Sequence, residues 1–219
     1  MNEATVSPEN RGNKNCMRIL GIDPAAAGPT GYGIVESDGR HCRMLHYGAL
    51  KIPASQRKTS EGAALREVHE LLCRLIKEFA PDAMAVESIF SALNVKTALR
   101  LAEVRGVVLL AAAQHGLPIH SYAPRQVKAS IAGHGHADKR QMQIMVRAIL
   151  SMSATPEPAD AADALAVALC HLQVEQARQR FKLPNRADLA KPRSLATATG
   201  PASTEGATRG GPLRILSAH

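Results

Sequence analysis

Hydrophobic periodicity changes character near residue 60, and that change restricts the chain to a small set of architectures. Before it, apolar residues come in short extended runs: Met17–Asp23, Tyr32–Ser37 and a third around Arg43–Ile52. The turn Ser37-Asp38-Gly39-Arg40 joins the last two, so three consecutive antiparallel strands are predicted. After it, Leu65, Val68, Leu72, Leu75, Ile76 and Phe79 recur at helical spacing over 60–79, with Glu67, Glu70, Arg74 and Lys77 largely off the stripe. Pro81 ends that helix, and a fourth strand runs into Glu87. Helices at Asn94–His115, Arg125–Ile131, Asp138–Leu150 and from Asp160 to about Phe181 surround one more short strand, Pro118–Tyr122. Such an order excludes a sheet that is parallel throughout. It predicts an α/β protein with a five-stranded mixed sheet, three antiparallel strands and then two parallel, flanked by helices.

The helix at Asn94–His115 is apolar over most of its circumference, through Leu101, Val104, Val107, Val108, Leu109 and Leu110. One face is expected to rest on the sheet and the other to meet a second subunit. The first 16 residues are polar, lack the apolar core of a signal peptide and read as a disordered extension. Residues 17–181 form the expected folded domain, and 182–219 a disordered tail, rich in Ala, Thr, Gly, Ser and Pro over 197–211. The 27 Lys and Arg against 19 Asp and Glu give a net charge of +8, which favours a polyanionic partner. Half of that charge, +4, belongs to the tail, so composition alone does not decide for nucleic acid. Cys16, Cys42, Cys73 and Cys170 form no Cys-x-x-Cys pair; Cys73 and Cys170 read as buried thiols of a reduced, cytoplasmic protein.

Acidic residues stand at unusual places in this scheme. Asp23 ends the first strand, Glu87 ends the fourth, and Asp160 and Asp163 open the last helix. A carboxylate at the end of a buried strand is costly unless it pairs, hydrogen-bonds or binds a cation. Each has an ordinary alternative: Asp23 as a turn former before Pro24, Glu87 as a solvated strand-edge residue, Asp160 and Asp163 as acids on a helix N-terminus. Their conjunction argues for one site. Strands one and four can lie side by side, and Asp160 and Asp163, spaced i, i+3, share a helix face that small Ala neighbours let pack closely. An all-carboxylate set suits Mg²⁺, with Mn²⁺ substituting, as one or two ions per subunit. Two such ions about 3.5–4 Å apart support hydrolysis of a phosphodiester.

Weaker signals accompany these. Gly133 to Gly135 with Lys139 fits either a phosphate-holding loop or a plain surface loop. Arg125 and Lys128, one turn apart, fit a phosphate-contacting face or solvated charges, and Phe90 fits core packing or stacking on an exposed base. His134 and His136 lack the further ligands of a zinc site.

Together these segments resemble the RuvC family of crossover (Holliday) junction endodeoxyribonucleases. The resemblance is carried by Leu20-Gly21-Ile22-Asp23-Pro24, Thr30-Gly31-Tyr32-Gly33, Val86-Glu87 with Phe90 and Asn94, Arg105-Gly106-Val107, Arg125-Gln126-Val127-Lys128, Ala137-Asp138-Lys139 and Ala159 to Ala166, over about 17–180. It implies a ribonuclease H-like fold, a homodimer, and symmetric Mg²⁺-dependent nicking of a four-way junction in recombination and repair. It also implies a branch-migration complex, RuvA with RuvB, as partner. By position Asp23, Glu87, Asp160 and Asp163 match the family's catalytic carboxylates, Lys128 and Lys139 its basic residues near DNA, and Phe90 its junction aromatic. The loop Pro24–Thr30 is one residue longer than the usual pattern, and Leu93 stands where a Lys is common. The rival readings are a hybrid- or flap-cutting nuclease of the same fold, a non-catalytic junction binder, and an actin-like ATPase, for which the chain is too short.

Overall fold

Side-chain alternation decides what each strand presents to its two sides. In β1 (Met17–Asp23) the even residues Leu20 and Ile22 face one apolar cluster, and Ile19 faces another on the opposite side. The same division holds in β4 (Ala83–Glu87), where Met84 and Val86 go one way and Ala83 and Ala85 the other. With β2 (Thr30–Ser37), β3 (Cys42–Leu50) and β5 (Ile119–Tyr122) these form a five-stranded sheet in the order β3-β2-β1-β4-β5. The pairs β3–β2 and β2–β1 are antiparallel, and β1–β4 and β4–β5 are parallel. The expected mixed sheet is therefore present. The computed structural model describes residues 16–24, 29–50, 62–88 and 95–183. Expectations for the extension, the loop after Pro24, Phe90, Leu93 and the tail from 184 lie outside the described residues.

The side with the larger strand residues is covered by α1 (Ala63–Phe79) and α2 (Val95–Gln114). In α1 the stripe Val68, Leu72, Leu75, Ile76 and Phe79 is buried, whereas Leu65 is only partly so. Cys73 departs from expectation: one position beyond Leu72, it turns off the stripe and is half-buried, with Sγ beside the His69 ring. Cys170 is buried as expected.

The other side carries α3 (Pro124–Ala132), α4 (Lys139–Ile149) and α5 (Ala159–Arg180). Pro124 occupies the first turn of α3, where its missing N–H costs nothing, and Gly133 ends the helix at φ 82°, its N–H reaching Ala129 O. Asp138 caps α4 by accepting from Gln141 N at 2.8 Å, while Asp138 N donates back to Gln141 Oε1 at 3.0 Å. The helix α5 is buried continuously from Ala164 to Leu172 because it runs between the sheet and α3 and α4.

At the pole where β1 begins, Glu36 accepts from Arg18 Nε at 2.6 Å and Arg43 Nε at 2.8 Å. Burial opposes ionisation of Glu36, but the two guanidinium groups outweigh it and hold the carboxyl below its ordinary range. Arg18 also donates to Phe79 O at 3.0 Å, so this pole is closed by a structural ion network.

Candidate active site

Parity sends the two strand-borne acids to one side of the sheet. Asp23 follows Ile19 and Gly21 at spacing two, and Glu87 follows Ala83 and Ala85, so both side chains point to the α5 side. The parallel register Ile22↔Val86 sets the two strand ends level. On that side the strands carry small residues, and α5 lies against them. A Cβ at Gly21 would fall 2.1 Å from Ala164 O, and one at Gly31 would fall 2.0 Å from Asp160 O. The helix start is thus delivered to the carboxyl ends of the parallel strands, the usual place for a ligand in such sheets.

One carboxylate oxygen each from Asp23, Asp160 and Asp163 lies within 4.8 Å of the others. Glu87 stands beside this trio, close enough for its charge to act on Asp23 and for that of Asp163 to act on it. Burial is the largest cause of a rise in the Asp23 pKa to about 8, and the neighbouring acids Glu87, Asp163 and Asp160 add to it. Burial and then Asp163 push Glu87 up to about 7, against the pull of Lys128. Asp163 is also raised, by burial first, although Lys139 opposes the shift. These acids are short of positive charge. Lys139 supplies a part, its Nζ standing 3.2 Å from Asp163 Oδ2. Burial weakens the Lys139 ammonium, but Asp163, Asp160 and Asp23 overcompensate and raise its pKa.

A set of clustered carboxylates with deficient compensation fits a hard, oxygen-preferring divalent cation better than it fits itself. Asp23, Asp160 and Asp163 are the residues placed to hold one, with Glu87 adjacent. Beside them a cavity of about 210 Å³ is lined by Glu87, Asp163, Lys128 and Lys139 among others. Two acids and two lysines thus border one space, with Lys139 already paired to Asp163, a lining suited to a phosphate with its cation.

Of the residues singled out in the sequence, the structure brings together Asp23, Glu87, Asp160, Asp163, Lys128 and Lys139. Arg125 is exposed on the first turn of α3, and Phe90 lies outside the described residues. His134 and His136 join no group able to hold a metal among the described residues. Sequence reasoning missed a buried pair below the site, Tyr122 Oη hydrogen-bonded to His171 Nδ1 at 2.6 Å. A polar side chain inside an apolar helix run, as His171 is, was the available signal.

Fold and site together define a nuclease of the ribonuclease H-like class. A family model described as crossover junction endodeoxyribonuclease RuvC matches residues 19–171. The chain belongs to that family. It is 47% identical over 167 residues to crossover junction endodeoxyribonuclease RuvC of Chloroflexus aurantiacus, covering 76% of this chain and 99% of the relative. The same-named protein of Thermosipho melanesiensis is 46% identical over 154 residues, covering 70% and 96%. Among solved structures, T. thermophilus RuvC in complex with a Holliday junction substrate superposes with TM-score 0.69 at 34% identity, covering 74% of this chain and 96% of that one. The yeast mitochondrial Holliday junction resolvase Ydc2 shares the fold, with TM-score 0.54 at 14% identity over 81% of this chain and 83% of that one.

Proposed function

We propose that this chain is a homodimeric, Mg²⁺-dependent endonuclease that resolves four-way DNA junctions by paired symmetric nicks, in homologous recombination and repair. The observation that carries the reading is the convergence of Asp23, Asp160 and Asp163 within 4.8 Å, in a chain of the RuvC family. Asp23, Asp160 and Asp163 would hold one or two ions per subunit, with Glu87 completing the set; Mn²⁺ would substitute. Bound there, such ions supply Lewis acidity and an activated water for attack on a phosphodiester. Lys128 and Lys139 would hold phosphate oxygens at the cavity, Arg125, one turn earlier on α3, would reach the backbone, and Phe90 would stack on a base opened at the junction.

Two nicks on strands of like polarity call for two sites related by a two-fold axis. In α2, Leu99, Ala102, Gly106, Leu109 and Ala113 are exposed at spacings of three and four, the pattern of a helix–helix seam. Val95 and Leu110 extend it, and this face is the proposed dimer contact. RuvA with RuvB is the proposed partner complex, and the cytoplasm the proposed location.

The test compares the purified protein with Asp163→Asn on a synthetic four-way junction, a linear duplex and an RNA–DNA hybrid, with Mg²⁺ and with EDTA. The reading expects Mg²⁺-dependent symmetric nicks in the junction alone, and their loss in the variant without loss of junction binding. Cleavage of the hybrid with the junction spared, or full activity in Asp163→Asn, would refute it.

A further inference from the structure

The two strand neighbours of β4 do not grip Glu87 equally. On the β1 side the parallel register ends at Ile22↔Val86, one residue short of it. On the β5 side it continues to Glu87↔Tyr122, and Ser88 N donates to Tyr122 O at 2.8 Å. Among the described residues, the last backbone hold on the Glu87 strand end thus comes from Tyr122, the final residue of a four-residue edge strand.

An edge strand of that length is a weak foundation unless something anchors it. The Tyr122 side chain provides the anchor, because its hydroxyl is hydrogen-bonded to His171 Nδ1 at 2.6 Å. His171 belongs to α5, the helix that bears Asp160 and Asp163. Both partners are inside the protein, Tyr122 at 5% and His171 at 2% exposure. The His120 ring lies against that of His171, centroids 4.3 Å apart, and fixes its plane. Burial and then His120 push the His171 pKa down to about 4, so the ring is neutral at physiological pH and shares one proton with the phenol. A Phe–Leu pair would fill this volume without desolvating polar atoms. What a hydrogen bond adds is direction, which fixes distance and orientation where apolar contact tolerates sliding.

We propose that Tyr122 and His171 are positioning residues: their hydrogen bond braces the Glu87 strand end against α5 and so sets Glu87 relative to Asp163 for cation binding. The inference rests on the metal-centre reading of the four acids.

The decisive measurement is Mn²⁺ affinity by calorimetry on DNA-free protein, well below each variant's melting temperature. Tyr122→Phe removes the hydroxyl alone and His171→Leu the ring nitrogen. Each is expected to weaken Mn²⁺ binding by about tenfold, the range for groups that orient metal ligands. The double variant should be no worse than either single one, since both delete the same bond. His171→Asn, whose amide can meet the phenol, should restore binding to within about threefold. Wild-type affinity in Tyr122→Phe, whatever its melting temperature, would overturn the brace and leave a core residue. Wild-type protein that takes up no Mn²⁺ would overturn brace and metal centre together. Uptake of Mn²⁺ without junction cleavage would sink only the junction reading. Should Tyr122→Phe not fold, wild-type ¹⁵N spectra decide: adding Mg²⁺ must shift the His171 ring nitrogens while His41, at the opposite pole, stays put. An unmoved His171 signal overturns the proposal.

Discussion

A Cβ on Gly21 would lie 2.1 Å from the carbonyl oxygen of Ala164, so the central strand and α5, which bears Asp160 and Asp163, meet backbone to backbone. Ala168 presses on the same point, its Cβ and N each 2.9 Å from that position. Nothing here is a flexible side-chain end that could swing aside. The approach is what carries the first turn of α5 across β1 to Asp23. A residue of any greater size at position 21 would lift the helix and open the carboxylate trio.

Gly21→Ala is therefore expected to destabilise the protein by about 3 kcal/mol or more, the cost of overpacking against backbone. For a domain of this size that is a fall in Tm of roughly 6–12 °C, read by calorimetry. Mn²⁺ affinity should fall with it, because Asp160 and Asp163 move together away from Asp23.

The raised acids fix the sign of the pH response of metal-free protein. With its pKa at about 8 in the folded state against an ordinary value of 3.8, Asp23 keeps its proton where the unfolded chain has lost it. Folded protein then binds more protons than unfolded between these values, and stability falls as pH rises through that window. Glu87, at about 7, adds loss over a narrower one. In EDTA the Tm should drop by roughly 5 °C or more between pH 5.5 and pH 8.5. Mg²⁺ should abolish the drop, and Asp23→Asn should shrink it; a Tm that rises over this range would contradict the assigned burial.

Lys139 competes with any cation for Asp163, from which its Nζ stands 3.2 Å away. Lys139→Met should tighten Mn²⁺ binding to DNA-free protein several-fold, roughly 1 kcal/mol for a partly exposed pair. Junction cleavage should nevertheless fall by about 10²-fold or more, because a phosphate-holding charge is lost. Weaker Mn²⁺ binding in the variant would mean that Lys139 instead holds Asp163 in place for the ion.

The α2 face offers a test of assembly. Val95 is 74%, Leu99 60% and Leu110 52% exposed in the single chain, an expensive surface to leave in water. Leu99→Glu should convert a dimer to a monomer by light scattering at micromolar concentration, with the fold retained by circular dichroism. Single nicks rather than paired ones should result. A wild-type monomer under those conditions would remove this interface.

The positions of the elements were legible in the sequence because each has its own period and its own stop. Pro81 follows the end of α1 as expected, while the Gly133 helix end and the Asp138 cap through Gln141 were not singled out. The acids were legible for a similar reason: a charged residue closing an apolar run has few inexpensive explanations. Strands one and four were expected side by side, which brings Asp23 and Glu87 close; that both face α5 follows from the register Ile22↔Val86. Cys73 was misjudged because one step on a helix turns a side chain through 100° and off the buried stripe.

Distances and partners belonged to the tertiary structure alone. No local pattern states that Gly21 will receive Ala164, that Lys139 will neutralise part of Asp163, or that His171 will meet Tyr122 across 49 positions of chain. These contacts depend on how closely α5 settles on the sheet, which is set by the summed packing of both faces rather than by any segment. The same holds for the electrostatics. The sequence determined that acids would stand at two strand ends and a helix start; only packing decided how deeply they are buried, and burial is what turns ordinary carboxyls into groups that hold protons to pH 7 or 8.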